Sequence, residues 1–186
     1  VSAASPHSDT IFINYEDHVT PDKLSEYNAR AHKLIELKSL PERFDSGELE
    51  VHQYMVRSVD GTEIPYFVIH RKGLQPDGGT PTILYGYGGF EISLKPSYSA
   101  TLGKLWLERG GAYAVANIRG GGEFGPRWHK AALRTQRQRA YDDFIAVAED
   151  LAKRRITSSR YLGISGGSNG GLLVGAILTQ RPDLLN

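Results

Sequence analysis

Glycine placement constrains this chain more than any other feature. Residues 1–85 hold five of its 21 glycines (47, 61, 73, 78 and 79), and the other sixteen lie between 86 and 175. Glycine is required where backbone takes positive φ or approaches another segment closely. The second half therefore reads as regular elements joined by tight, glycine-dependent turns. Thr82–Tyr85, Ala112–Ile118 and Tyr161–Ile164 are short apolar strands, and Ala112–Ile118 is continuous enough to be buried on both faces. Between and after them, Leu102/Leu105/Trp106, Phe144/Val147/Ala148/Leu151 and Leu172–Thr179 follow helical spacing. Gly110-Gly111 would stop the first helix, and Asp142 and Asp143 would sit in the first turn of the second, against its dipole. Such alternation predicts βαβ crossovers and a parallel sheet with helices on both sides.

The first half reads differently. Thr10–Tyr15 is a strand by its β-branched and aromatic content. Residues 21–40 fit either a helical face (Leu24, Tyr27, Ala31, Leu34, Ile35) or two strands about a polar turn. Val51–Val59 and Thr62–Ile69 flank Asp60-Gly61, a hairpin signal in which both turn residues would take positive φ.

Composition narrows the function. The 186 residues are 40% apolar and 23% charged, which suits an ordinary globular chain. No apolar run approaches the length of a membrane span. A net charge of +1 gives no electrostatic reason to expect nucleic acid. With no cysteine there is no disulfide or thiolate chemistry, and the compartment stays open.

The chemistry concentrates in Ile164-Ser165-Gly166-Gly167-Ser168-Asn169-Gly170-Gly171. Gly-x-Ser-x-Gly between a strand and a helix is the context of a nucleophile elbow. Side chains at 166 and 170 would collide with neighbouring backbone, and glycine at both lets Ser168 take strained dihedrals. The Asn169 N–H then points to where an oxyanion would form. Tyr85-Gly86-Tyr87-Gly88-Gly89-Phe90 follows an earlier strand, where such hydrolases complete the oxyanion hole.

These segments resemble the prolyl oligopeptidase family of serine peptidases. The resemblance runs through Asp60-Gly61-Thr62, Leu84 to Phe90, Ala116 to Gly125, Trp128-His129-Lys130, Asp142-Asp143-Phe144, Gly166 to Leu173 and Gln180 to Leu184. It implies that Ser168 is the nucleophile and that the Asn169 N–H and the Tyr87 hydroxyl form the oxyanion hole. A phenol suits that role because it donates while staying neutral, which favours it over the alternative of a packed loop aromatic. Phe90 would line the proline pocket, although a core phenylalanine is equally natural.

The implied fold is α/β: the N-terminal part of an α/β-hydrolase domain, mostly parallel with helices on both faces, preceded by the last strands of a β-propeller. On that resemblance residues 1–42 end the propeller and cross over, 43–186 form the first half of the peptidase domain, and 21–40 is strand, turn, strand. The triad's Asp and His would then lie after Asn186, so the chain alone would lack activity. The implied enzyme is a monomer acting on short proline-containing peptides, without cofactor, metal, nucleic acid or membrane, in the cytoplasm, with a periplasmic place as the alternative. Related oligopeptidases cutting after basic residues, aminopeptidase-like relatives, and a non-catalytic binding protein are the other readings.

Three signals carry less. Gly120-x-Gly122-x-x-Gly125 matches a dinucleotide fingerprint but reads better as a loop bordering a substrate groove. His129 precedes Ser168, against the Ser, Asp, His order of these triads, and reads as structural. No His, Asp or Glu group has metal-ligand spacing along the chain, and Arg134, Arg137 and Arg139 form a solvated or propeller-facing basic surface.

Overall fold

A computed structural model describes all 186 residues, which form two sheets. The first is antiparallel in the order β1 (Ala3–Ala4), β2 (Thr10–Tyr15), β3 (Lys23–Asn28), β4 (Lys33–Ser39). Segment 21–40 is thus strand, turn, strand. Asn28 Oδ1 accepts from Ala31 N at 2.8 Å and His32 takes φ 50, which turns β3 back into β4. Asp17 Oδ1 accepts from the Val19 and Thr20 N–H groups and closes the β2–β3 connection. All of β4 is exposed, so no buried stripe exists there for periodicity to detect.

The second sheet has the order β5-β6-β8-β7-β9, formed by β5 (Leu49–Arg57), β6 (Glu63–Arg71), β7 (Thr82–Gly86), β8 (Ala112–Ala116) and β9 (Leu162–Ser165). β8, β7 and β9 pair in parallel, while β5 and β6 add an antiparallel flank. The β5–β6 connection differs from the expected two-residue turn. Ser58 N donates to Thr62 O and Gly61 N to Ser58 O, and Gly61 is the turn residue at positive φ, 84°. Val59 is therefore a loop residue, and the connection is a three-residue turn ending in a left-handed glycine.

Four α-helices follow: α1 (Ala100–Leu105), α2 (Pro126–Lys130), α3 (Gln138–Lys153) and α4 (Asn169–Gln180). Ser99 Oγ caps α1, and after a 3₁₀ turn Gly110 ends the run at φ 88. Alternate strand residues face two cores. Tyr66, Val68, Leu84 and Ala114 join Phe144, Val147, Leu151, Leu173 and Ile177 of α3 and α4. Ile69 and Tyr113 face the opposite way, onto Phe44, Leu107 and Trp106. Close approach fixes this second core: a Cβ on Gly103 would lie 2.0 Å from Phe44 Cδ1.

The two sheets meet through Glu16, which accepts from Tyr98 N at 3.2 Å, and through His18, whose ring lies 5.6 Å from that of Phe67. Burial holds the His18 imidazole below its ordinary pKa.

α3 begins at Gln138, so Asp142 and Asp143 fall in its second turn, and the expected dipole role does not apply to them. Asp143 is fully buried and binds Arg119, just beyond β8. Arg119 donates from its backbone N (3.0 Å), Nε (2.9 Å) and Nη2 (2.6 Å) to that one carboxylate. The same guanidinium reaches the β5–β6 turn through Asp60 Oδ2 (2.5 Å) and Thr62 Oγ1 (3.1 Å). The hydrogen bond from Arg119 holds the Asp60 carboxyl well below the usual carboxylate range.

Removing one partner of such a buried pair strands the other. Asp143→Ala is expected to lower stability by about 3–5 kcal/mol in urea titrations of the protein carrying this chain. Asp60 favours the fold above its unfolded pKa, and that contribution is lost as pH falls from about 4 through its depressed folded value. Asp60→Asn should therefore flatten the acid side of a plot of unfolding midpoint against pH.

Candidate active site

The carboxyl ends of β7 and β9 lie side by side, and the helices that follow them pack on opposite faces of the sheet: α1 after β7 against the Phe44 core, α4 after β9 against the Phe144 core. Such a divergence opens a crevice at the sheet edge. Ser168 sits there, exposed, at φ 53 and ψ −115, outside the regions a non-glycine residue normally occupies. The collisions inferred from the sequence are present. A Cβ on Gly166 would lie 2.4 Å from Gly170 O, and one on Gly170 would lie 2.6 Å from Gly86 O. The second contact presses the elbow against the loop after β7.

Asn169 joins the two loops by side chain as well. Its Nδ2 donates to Tyr87 O at 2.6 Å, beneath Gly89, whose place a Cβ could not share. As the first residue of α4 it has a backbone N–H with no acceptor within the helix. That donor and the helix dipole both favour negative charge beside Ser168. Tyr87 is half-buried. Phe90 is 72% exposed, so it is not a core residue. Phe90 and Glu91 take φ 54 and 57, two successive left-handed residues in a loop closed by Ile92 N donating to Gly89 O.

A cleft of about 550 Å³ opens beside the elbow, with Phe90, Asn169, Leu172, His129, Arg134 and Arg137 among its lining. Ser168, Asn169, Tyr87 and Phe90 are thus gathered at one sheet edge.

His129 holds the loops together. Its Nδ1 is 2.7 Å from Gly120 O, while Glu91 N lies 3.1 Å from the same nitrogen, and neither ring nitrogen hydrogen-bonds Ser168. Gly120, Gly121 and Gly122 pack on protein, which leaves no phosphate cradle there, while Gly125 faces open space. A Cβ at Gly120 would meet Gly88 O at 2.3 Å, and one at Gly122 would meet Glu91 O at 2.1 Å. A short helix, α2, does follow directly, with Pro126 at its first position after Gly125 at φ 77.

Arg137 belongs to the cluster expected on a solvated or propeller-facing surface, yet its Nη1 donates to Gly88 O and its Nε and Nη2 are buried without partners. Arg119, Asp143 and Arg137 were not candidates from sequence. Each acts through residues distant in the chain.

A serine on a strained strand-to-helix turn, at the divergent edge of a mixed sheet with helices on both faces, defines an α/β-hydrolase. The family comparison narrows this: residues 96–185 match the prolyl oligopeptidase family of peptidases. The chain belongs to that family.

It is 54% identical over its whole length to an uncharacterized peptidase of Sinorhizobium fredii, of which it covers 26%. With the prolyl endopeptidase of Elizabethkingia meningoseptica it shares 44% identity over 94% of this chain and 24% of the relative. Among solved structures, one from a study of two prolyl endopeptidases superposes with a TM-score of 0.92 at 40% identity, over 98% of this chain and 27% of that one. Oligopeptidase B of Leishmania major gives 0.86 at 32% identity, over 96% and 25%. The chain therefore spans about a quarter of the length of the relatives it matches.

The contact between Gly170 and Gly86 O gives a direct test. Gly170→Ala should lower stability by about 1–3 kcal/mol through overpacking, read as a fall in the thermal unfolding midpoint. Gly175→Ala, where a Cβ would meet nothing, should not lower it.

Proposed function

We propose that this chain carries the nucleophile of a serine oligopeptidase that hydrolyses short peptides after proline. The observation that carries the reading is Ser168 at φ 53, ψ −115 on the elbow, with Asn169 bridging to Tyr87 O. In this reading the Ser168 hydroxyl attacks the scissile carbonyl, its proton passing to a histidine base. The developing oxyanion is held by the Asn169 N–H and the Tyr87 hydroxyl, and water then releases the acyl group. The triad's Asp and His belong to parts of the protein outside these 186 residues. Residues 1–42 are the end of a propeller that limits substrates to short peptides, and 43–186 the first half of the catalytic domain. The enzyme acts as a cytoplasmic monomer without cofactor.

Phe90 supports the preference for proline, because an exposed flat ring on the cleft gives a proline side chain an apolar face. Cleavage after basic residues, suggested by the likeness to oligopeptidase B, fits less well. The cleft already presents Arg134 and Arg137 against Glu91 alone, which opposes a cationic substrate side chain.

In the full-length protein a fluorophosphonate probe should label Ser168, and Ser168→Ala should abolish both labelling and turnover of a Gly-Pro reporter peptide. Phe90→Ala should lower kcat/KM for that reporter with less effect on labelling. Faster turnover of an arginine reporter would reassign the specificity, and full turnover in Ser168→Ala would remove the nucleophile. The 186-residue chain by itself should label poorly, because no histidine in it is bonded to Ser168.

A further inference from the structure

Linear spacing hides one cluster that strand pairing assembles. Glu50 and His52 lie two apart on β5 and so share a face. Antiparallel register places His70 of β6 directly opposite Glu50, on that same face. The face continues the apolar one that α3 covers: Tyr54 lies opposite Tyr66, whose hydroxyl donates to Asp150, and the Arg154 guanidinium stacks 4.1 Å above Tyr54. Farther along the strands the apolar side chains give way to two imidazoles and a carboxylate.

We propose that Glu50, His52 and His70 form a binding site for a zinc-class divalent cation. One donor atom from each residue lies within 4.8 Å of the other two. The carboxylate reaches a nitrogen of each ring, with Oε2 3.3 Å from His52 Nε2 and Oε1 3.5 Å from His70 Nδ1. Zinc bonds of about 2.0–2.1 Å in a tetrahedron put neighbouring donor atoms roughly 3.3–3.4 Å apart. Each imidazole nitrogen lies close to that spacing from a carboxylate oxygen, His52 from Oε2 and His70 from Oε1.

Two imidazoles and one carboxylate are a borderline-soft donor set that suits zinc, cobalt or nickel better than calcium or magnesium. His70 is buried, so one of the three ligands is held in place by the fold. His52 and Glu50 are half-exposed, which gives the ion a path in and leaves coordination positions for water. His70 Nδ1 also lies 2.9 Å from Arg71 O. Coordination through Nδ1 moves the ring proton to Nε2 and releases that contact. The ion would tie the edge strand β5 to β6, away from Ser168, so it acts on the sheet and not on the reaction.

The test uses the protein carrying this chain, stripped with a chelator and titrated with Co²⁺ and then Zn²⁺. One Co²⁺ per chain should give the visible absorption of a four- or five-coordinate ion, and one Zn²⁺ should displace it and raise the thermal unfolding midpoint. His52→Ala and Glu50→Gln should each weaken binding about tenfold or more, the scale on which even outer-shell partners act. Both side chains are half-exposed, so metal-free unfolding should match the parent and separate ligand loss from misfolding. No saturable binding, or absorption and affinity unchanged in both variants, would overturn the site.

Discussion

The buried contact of Arg119 with Asp143 and Asp60 is the interaction on which the rest of the hydrolase sheet depends. One guanidinium joins the end of β8, the second turn of α3 and the β5–β6 turn, three segments with no covalent reason to meet. A buried cation is tolerable only when its donors are satisfied, and here Nε, Nη1 and Nη2 all have partners. The planar fork suits that arrangement, since its donors point in fixed directions toward both carboxylates, whereas an ammonium is a compact charge with three rotatable donors. Arg119 also begins the loop whose glycines pack against residues 88–91.

The site is built mainly from backbone. Gly86 O against Gly170, Gly88 O against Gly120 and Glu91 O against Gly122 bring three loops closer than any side chain would allow. Side chains then lock the approach: Asn169 to Tyr87 O, Arg137 to Gly88 O, and His129 to Gly120 O. Ser168, Phe90 and Glu91 all stand at positive φ within this frame. Each such residue stores strain of order 1–3 kcal/mol that persists only where the surroundings over-determine it. The strain is concentrated at the elbow and the loop facing it, where the proposed nucleophile would need to be presented in one orientation.

The elbow was legible because its cause is local: Gly-x-Ser-x-Gly between an apolar strand and an apolar helix leaves the chain one way to turn. β2 and the crossovers were legible for the same reason. What escaped was set by distance or by missing cap chemistry. α3 starts after Arg137, which makes no side-chain cap, so nothing marked its first turn and Asp143 was assigned to the dipole. Arg119 meets partners 24 and 59 residues away, a separation no motif encodes. The β5–β6 turn was misjudged because Val59 looks like strand, whereas the backbone places it in the loop. Residues 21–40 could not be resolved by periodicity because both faces of β4 are exposed. The Glu50, His52, His70 group is likewise a product of register, invisible until β5 and β6 are paired.

Phe90 and Glu91 project from a loop whose closure depends on glycines and main-chain hydrogen bonds, not on their own side chains. Their chemistry is thus uncoupled from the scaffold beneath them. Asparagine, which tolerates left-handed backbone better than most residues, could replace either one while the frame around Ser168 stays intact. A library confined to these two positions would vary the chemistry facing the cleft on an unchanged backbone frame, a modularity that the crowded glycines themselves do not permit.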